Sequence, residues 1–111
     1  MQNKIKGRLK GISCKEVREK LLAGEKPFII DTRGPEEFEE MRLGIGETLI
    51  PLGAIRKRLK ELPEDKNKEI ICYCKISLRG YEAAIALEGN GWKNVKVMEG
   101  GIMAWPYPRE K

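Results

Sequence analysis

Cys74 is followed by Lys75-Ile76-Ser77-Leu78-Arg79-Gly80, a run that holds the residue types from which cysteine chemistry is built. The thiolate is the reactive form of cysteine. Nearby cations, a helix N-terminus and inward-pointing backbone amides all favour it. Lys75 and Arg79 supply the cations. The chain contains no histidine, which removes Ser-His and Cys-His nucleophile pairs and with them most protease and hydrolase schemes. Whatever Cys74 does, it does without an imidazole base.

Three schemes compete for this cysteine. It can be a buried core thiol, a common fate for cysteine, with Arg79 a surface cation. It can be a phosphatase nucleophile, which needs a ring of amides, an arginine and an acid for the leaving group. The phosphatase signature places that arginine six positions after the cysteine, whereas Arg79 is five after Cys74, and the usual preceding histidine is missing. A tighter cradle suits a single sulfur better than a phosphate. The third scheme is sulfur transfer: the thiolate takes a sulfane sulfur as a persulfide and yields it to a second nucleophile. Loop amides then stabilise the anionic terminal sulfur, and no acid or base is required.

The elements that position Cys74 are legible on either side of it. Glu69-Ile70-Ile71-Cys72-Tyr73 is an apolar run that reads as a short buried strand. From Ser77 to Glu88, apolar residues at Leu78, Tyr81, Ala84, Ile85 and Leu87 follow helical spacing. Cys74 therefore falls where a strand hands over to a helix, an environment that lowers thiol pKa.

The rest of the chain reads as a scaffold for that loop. Residues 1–8 are polar and basic and read as a flexible arm or a linker remnant; the domain is expected over 9–108. Leu9 to Ile12 suggests an edge strand. Ser13 and Glu16 form a capping box for a helix that carries Cys14, Val17 and Leu21 and stops at Gly24. Phe28-Ile29-Ile30 reads as a strand covered on both faces and ends on Asp31. Pro35 fits the first turn of a short helix with Glu36 and Glu37 behind it. A brief strand follows over Glu47 to Pro51, then an amphipathic helix marked by Leu52, Ile55, Leu59 and Leu62. Val95 to Met98 is the last strand, and Ile102 to Trp105 one helical turn. Strands and helices alternate, which predicts an α/β fold with a doubly wound, mostly parallel sheet and helices on both faces. Ligands bind beyond the carboxyl ends of such strands, where Asp31 and Cys74 both fall.

Composition narrows the function classes. A chain of 111 residues with 41% hydrophobic and 35% charged content is one globular domain. There is no apolar run of membrane-spanning length and no signal-peptide pattern, so no membrane partner and a cytoplasmic location are expected. Three cysteines without histidine are one ligand short of a structural zinc site, so no metal is expected; Cys14 and Cys72 read as small buried apolar residues. The net charge of +5 is spread through amphipathic helices with few aromatics, which argues against nucleic acid and for a mild preference for small anions.

From about Ile12 to Tyr107 the chain resembles the rhodanese family of sulfurtransferase domains. The ordered parts are a capped first helix, Asp31-Thr32-Arg33 leading to Pro35-Glu36-Glu37-Phe38, Ile50-Pro51-Leu52, the loop Cys74 to Arg79, Gly100-Gly101 and Trp105. The resemblance implies that Cys74 is the persulfide-forming nucleophile and that Lys75, Ile76, Ser77, Leu78, Arg79 and Gly80 form its cradle. Asp31 and Arg33 read as a supporting pair, with Glu36 and Glu37 as partners for Arg33. One segment departs from the family: Met41 to Thr48 stands in place of Gly-His-Ile-Pro-Gly-Ala. The loop looks most like that of rhodanese domains fused behind flavin-dependent disulfide reductases. That implies small sulfur donors and thiol acceptors, no cofactor in this domain, and an N-terminal flavin-dependent reductase in a longer chain; a free-standing protein fits the same sequence. A non-catalytic docking module, with Ile76 and Leu78 as an apolar contact surface, and a cysteine phosphatase are the alternatives.

Overall fold

Phe28–Asp31, Ile70–Tyr73 and Val95–Met98 are too short and too β-branched for helices, and they pair side by side as the centre of a parallel sheet. The computed structural model describes residues 10–110, so the basic arm expected at residues 1–8 lies outside the described residues. In chain order the elements are β1 (Lys10–Ile12), α1 (Cys14–Leu22), β2 (Phe28–Asp31), α2 (Pro35–Glu40) and β3 (Thr48–Leu49). Two 3-10 segments follow, Leu52–Lys57 and Leu59–Glu61, then β4 (Ile70–Tyr73), α3 (Leu78–Gly89), β5 (Val95–Met98) and α4 (Gly101–Ala104). The strand order is β1-β5-β4-β2-β3, parallel throughout. No helix among the described residues is long and apolar enough to cross a membrane.

Alternation along the strands feeds two cores. On one face Ile30, Ile70, Cys72, Val95 and Val97 pack against Ala83, Ala84 and Leu87 of α3 and Ile55 of the first 3-10 segment. On the other face Ile29, Ile71, Tyr73 and Met98 meet Cys14 and Val17 of α1, Ile102 of α4 and Trp105. The doubly wound expectation holds. The expected amphipathic helix over Leu52 to Leu62 does not form as an α-helix. Its apolar residues recur three apart (Leu52 to Ile55, Leu59 to Leu62), which matches three residues per turn, and Gly53 weakens the α alternative.

The register sets up the functional end of the sheet. Ile30 pairs with Cys72 and Asp31 with Tyr73, so β2 and β4 finish level. Thr32 then clamps the two strand ends: its N–H and its hydroxyl both donate to the Tyr73 carbonyl, at 2.9 and 3.0 Å. Cys74 is thereby launched beside Thr32-Arg33.

The first helix is fixed by the expected box, with Ser13 Oγ accepting from the Glu16 N–H at 3.0 Å and Glu16 Oε1 from the Ser13 N–H at 3.2 Å. Replacing Ser13 by Ala should lower stability by about 1 kcal/mol, read as a shifted denaturant midpoint with unchanged slope.

Candidate active site

The Cys74 loop is organised from outside by α4. The Cys74 carbonyl accepts from the Ile102 N–H at 2.9 Å, and the Lys75 carbonyl from the Met103 N–H at 3.1 Å. In a trans peptide the N–H points opposite to the C=O of the same plane. The Lys75 and Ile76 amides therefore point away from α4. Among the described residues, no N–H from Lys75 to Gly80 donates to a protein acceptor; the first intrahelical bond of α3 runs from Tyr81 N–H to the Ser77 carbonyl, 3.0 Å. Six consecutive donors are thus left without a protein acceptor directly after a cysteine that is itself buried, at 2% exposure.

Close approach makes this arrangement possible. Gly101 has φ +58°, and a Cβ there would lie 2.2 Å from the Cys74 carbonyl oxygen and 2.5 Å from that of Ile76. Only glycine fits. Ser77 closes the same junction: its Oγ accepts from the Gly100 N–H at 3.0 Å. Gly80, at the start of α3, faces β5, where an added Cβ would stand 3.0 Å from Val97 Cγ1; it sets how closely the helix meets the sheet. Ile76 and Leu78 turn outward, 62% and 72% exposed, and Lys75 is exposed as well.

Asp31 and Arg33 are both buried, and they pair with each other. Arg33 Nε lies 3.1 Å from each Asp31 oxygen, its terminal nitrogen 2.8 Å from Oδ2, and its N–H donates to Oδ1 at 2.9 Å. The same guanidinium donates to the Met41 carbonyl at 2.6 Å. This corrects the expectation that Glu36 or Glu37 would be its partner. Asp31 is two residues away and already buried at the strand end, so it captures the fork first. Glu37 instead receives Arg79, with paired contacts of 2.8 and 3.0 Å, and also the Gly34 N–H at 3.1 Å. Arg79 thus braces the loop against α2. Its pKa is raised, chiefly by the Glu37 hydrogen bond. The Arg79 bond also holds the Glu37 carboxyl at about 2, partly offset by burial and assisted by the Gly34 amide.

Sequence reasoning missed Glu47. The unusual Met41 to Thr48 segment folds around its carboxylate, which accepts from the amides of Leu43 (2.9 Å), Gly44 (3.2 Å) and Ile45 (2.9 Å). It also accepts from the Tyr73 hydroxyl at 2.6 Å. Burial raises the Glu47 pKa, but the Tyr73 bond and the amides outweigh it and the net shift is downward. Burial, then the charge of Asp31 and the bond to Glu47, push the Tyr73 hydroxyl upward, so it stays a donor. The only sequence signal was a lone acid directly after Gly44-Ile45-Gly46. The Arg42 backbone meanwhile exchanges two 2.7 Å bonds with Glu110, which fastens the outer side of the wall.

The other two thiols are inert by environment. Burial pushes Cys72 up to about 12. Burial also raises Cys14, whose sulfur lies 3.9 Å from the Glu99 and Gly101 carbonyls.

Residues 13–106 match the model of the rhodanese-like domain. YtwF, a candidate sulfurtransferase of Bacillus subtilis, is 35% identical over 102 residues, covering 87% of this chain and 90% of that protein. The crystal structure of reduced CoADR-RHD from Bacillus anthracis superposes with a TM-score of 0.79 at 32% identity, covering 94% of this chain but 18% of that one. A NAD-dependent persulfide reductase from A. fulgidus gives 0.72 at 34% identity, covering 96% of this chain and 17% of its own. The chain thus spans nearly all of one relative and under a fifth of the other two.

Two outcomes follow from the charge arrangement. Glu47→Ala strips the Tyr73 hydroxyl and three amides of their acceptor and should cost about 2–4 kcal/mol in denaturant unfolding, with Tyr73→Phe costing clearly less. The Glu37–Arg79 contribution should be complete above pH 4.5, the ordinary Glu value, and fade as pH falls toward about 2. Both side chains are 36% exposed, so the stability difference between wild type and Glu37→Gln should stay below about 1 kcal/mol, measured by unfolding across that range.

Proposed function

The chain belongs to the rhodanese-like domain family, and we propose that it is a sulfurtransferase working through a persulfide on Cys74. The observation that carries this reading is the set of six free amides, Lys75 to Gly80, beside a buried cysteine at a strand end. With a thiosulfate donor, the Cys74 thiolate attacks the outer sulfur, a new S–S bond forms, and the old S–S bond breaks with its electron pair leaving on sulfite. With a polysulfide or persulfide donor the leaving group is the shortened sulfur anion. The free N–H groups then hold the anionic terminal sulfur, as an oxyanion hole holds oxygen. A thiol acceptor, as thiolate, attacks that terminal sulfur, and the electron pair returns to Cys74 Sγ.

In this scheme Lys75 adds positive charge at the mouth. Arg79 acts from the side through its pairing with Glu37 rather than by direct contact, and Asp31 and Arg33 lock the neighbouring turn. No acid or base is needed, which suits a chain without histidine. We read residues 9–108 as the catalytic domain and 1–8 as an arm or linker. The NAD-dependent persulfide reductase of A. fulgidus, of which this chain matches 17%, supports a reductase as partner in a longer chain, and we read that partner as N-terminal and flavin-dependent. A reducing cytoplasm suits three free cysteines.

Exposure of the protein to thiosulfate, polysulfide or coenzyme A persulfide should add about 32 Da, the mass of one sulfur, to wild type and nothing to Cys74→Ser, read by mass spectrometry. The donor that loads fastest identifies the substrate class. A folded protein that takes sulfur from none of them is a docking module that uses exposed Ile76 and Leu78, and turnover of an aryl phosphate would make it a phosphatase.

A further inference from the structure

A cleft of about 200 Å³ lies between α2 and α4, and Lys75, one peptide bond from Cys74, forms part of its wall. That is smaller than the ~300–1,000 Å³ of pockets for drug-sized ligands, and it suits a molecule of amino-acid size. The charges around it fall into two groups. Arg33 and Glu37 are occupied by Asp31 and Arg79. Three charges have no ion-pair partner among the described residues: Lys75, Arg109 and Glu40, all exposed. Arg109 donates only to the Ile102 and Trp105 carbonyls, at 2.9 and 2.7 Å, so its positive charge is held in place yet not neutralised. Met41 and Met103 supply polarizable apolar surface to its lining.

A cleft lined by one unpaired carboxylate and two unpaired cations is a poor site for a simple anion such as thiosulfate, which Glu40 would repel. It is a good site for a molecule that carries both signs. We propose that this cleft is the acceptor subsite and takes a small zwitterionic thiol of the cysteine type. Its carboxylate lies toward Lys75 and Arg109, its ammonium toward Glu40, and its sulfur between the methionines on the way to Cys74. The inference rests on the sulfur-transfer reading for what the bound thiol does next: its thiolate forms a bond to the terminal sulfur, the Sγ–S bond breaks, and the pair returns to Cys74.

Binding can be tested apart from transfer. S-methylcysteine keeps both charges and cannot accept sulfur; methylthiopropanoate lacks the ammonium. Titrated into isotope-labelled protein, S-methylcysteine should shift the amide signals of Met41, Lys75 and Met103. It should bind about three- to fivefold more tightly than methylthiopropanoate, the ratio expected of one partly exposed ion pair. In Glu40→Gln, an exposed position, the two should bind alike. Equal binding to wild type, shifts confined to other regions, or no binding of either compound would overturn the subsite. Preferential binding by a protein that loads no sulfur would overturn the transfer reading and leave the subsite standing.

Discussion

The contact between the first residue of α4 and the carbonyls of the Cys74 loop is the constraint on which the site depends. A loop that must offer consecutive N–H groups to a ligand has to send the matching carbonyls somewhere, and those carbonyls need donors of their own. Here the backbone of Ile102 and Met103 supplies them. The approach is so tight that a single Cβ at Gly101 would penetrate the Cys74 and Ile76 carbonyl oxygens. The geometry of the amides is therefore set first by the helix behind them, with Ser77 and Arg79 the loop side chains that brace it. Ile76 and Leu78 are free to be large and exposed because their side chains play no part in it.

Around that junction the acids act as organisers, each taking a distinct set of donors. Asp31 holds Arg33 at the end of β2, Glu37 holds Arg79 between α2 and α3, and Glu47 gathers a turn and the Tyr73 hydroxyl. Two of these groups flank Cys74 in sequence, since Tyr73 precedes it and Arg79 closes its loop. The loop is thus anchored at both ends to side chains that come from the β2–β3 region, 26 and 42 residues away. The buried Asp31–Arg33 pair adds more to local geometry than to net stability, because desolvation consumes much of its attraction.

What was legible in the sequence follows the same division. The strands, the capped helix and the place of Cys74 between β4 and α3 rest on local pattern, and local pattern is written in consecutive residues. The level ending of β2 and β4 follows from two apolar runs of similar length closed by Asp31 and Tyr73. The Leu52 to Leu62 region misled because apolar spacings of three fit both helix types until the neighbouring Gly53 is weighed. Arg33 and Glu37 were paired wrongly because nearness in sequence does not rank competing acids; burial of Asp31 does. Glu47 was invisible because its partners are mainly main-chain amides, which every residue possesses.

The depth of Cys74 also explains why a carrier mechanism suits this fold. Cys74 is 2% exposed, whereas Ile76 and Leu78 beside it in the loop are largely exposed, so a bulky acceptor has little room to meet Sγ itself. A persulfide on Cys74, as proposed, would extend the reactive atom by one S–S bond, about 2.05 Å. In the proposed mechanism a small donor would load the site, and the acceptor would then need only to reach the outer sulfur. The same burial discourages the loaded cysteine from forming mixed disulfides with passing thiols at Sγ. Cys72 is fully buried, and burial pushes both Cys72 and Cys14 toward the neutral thiol, so neither is poised to intercept the sulfur.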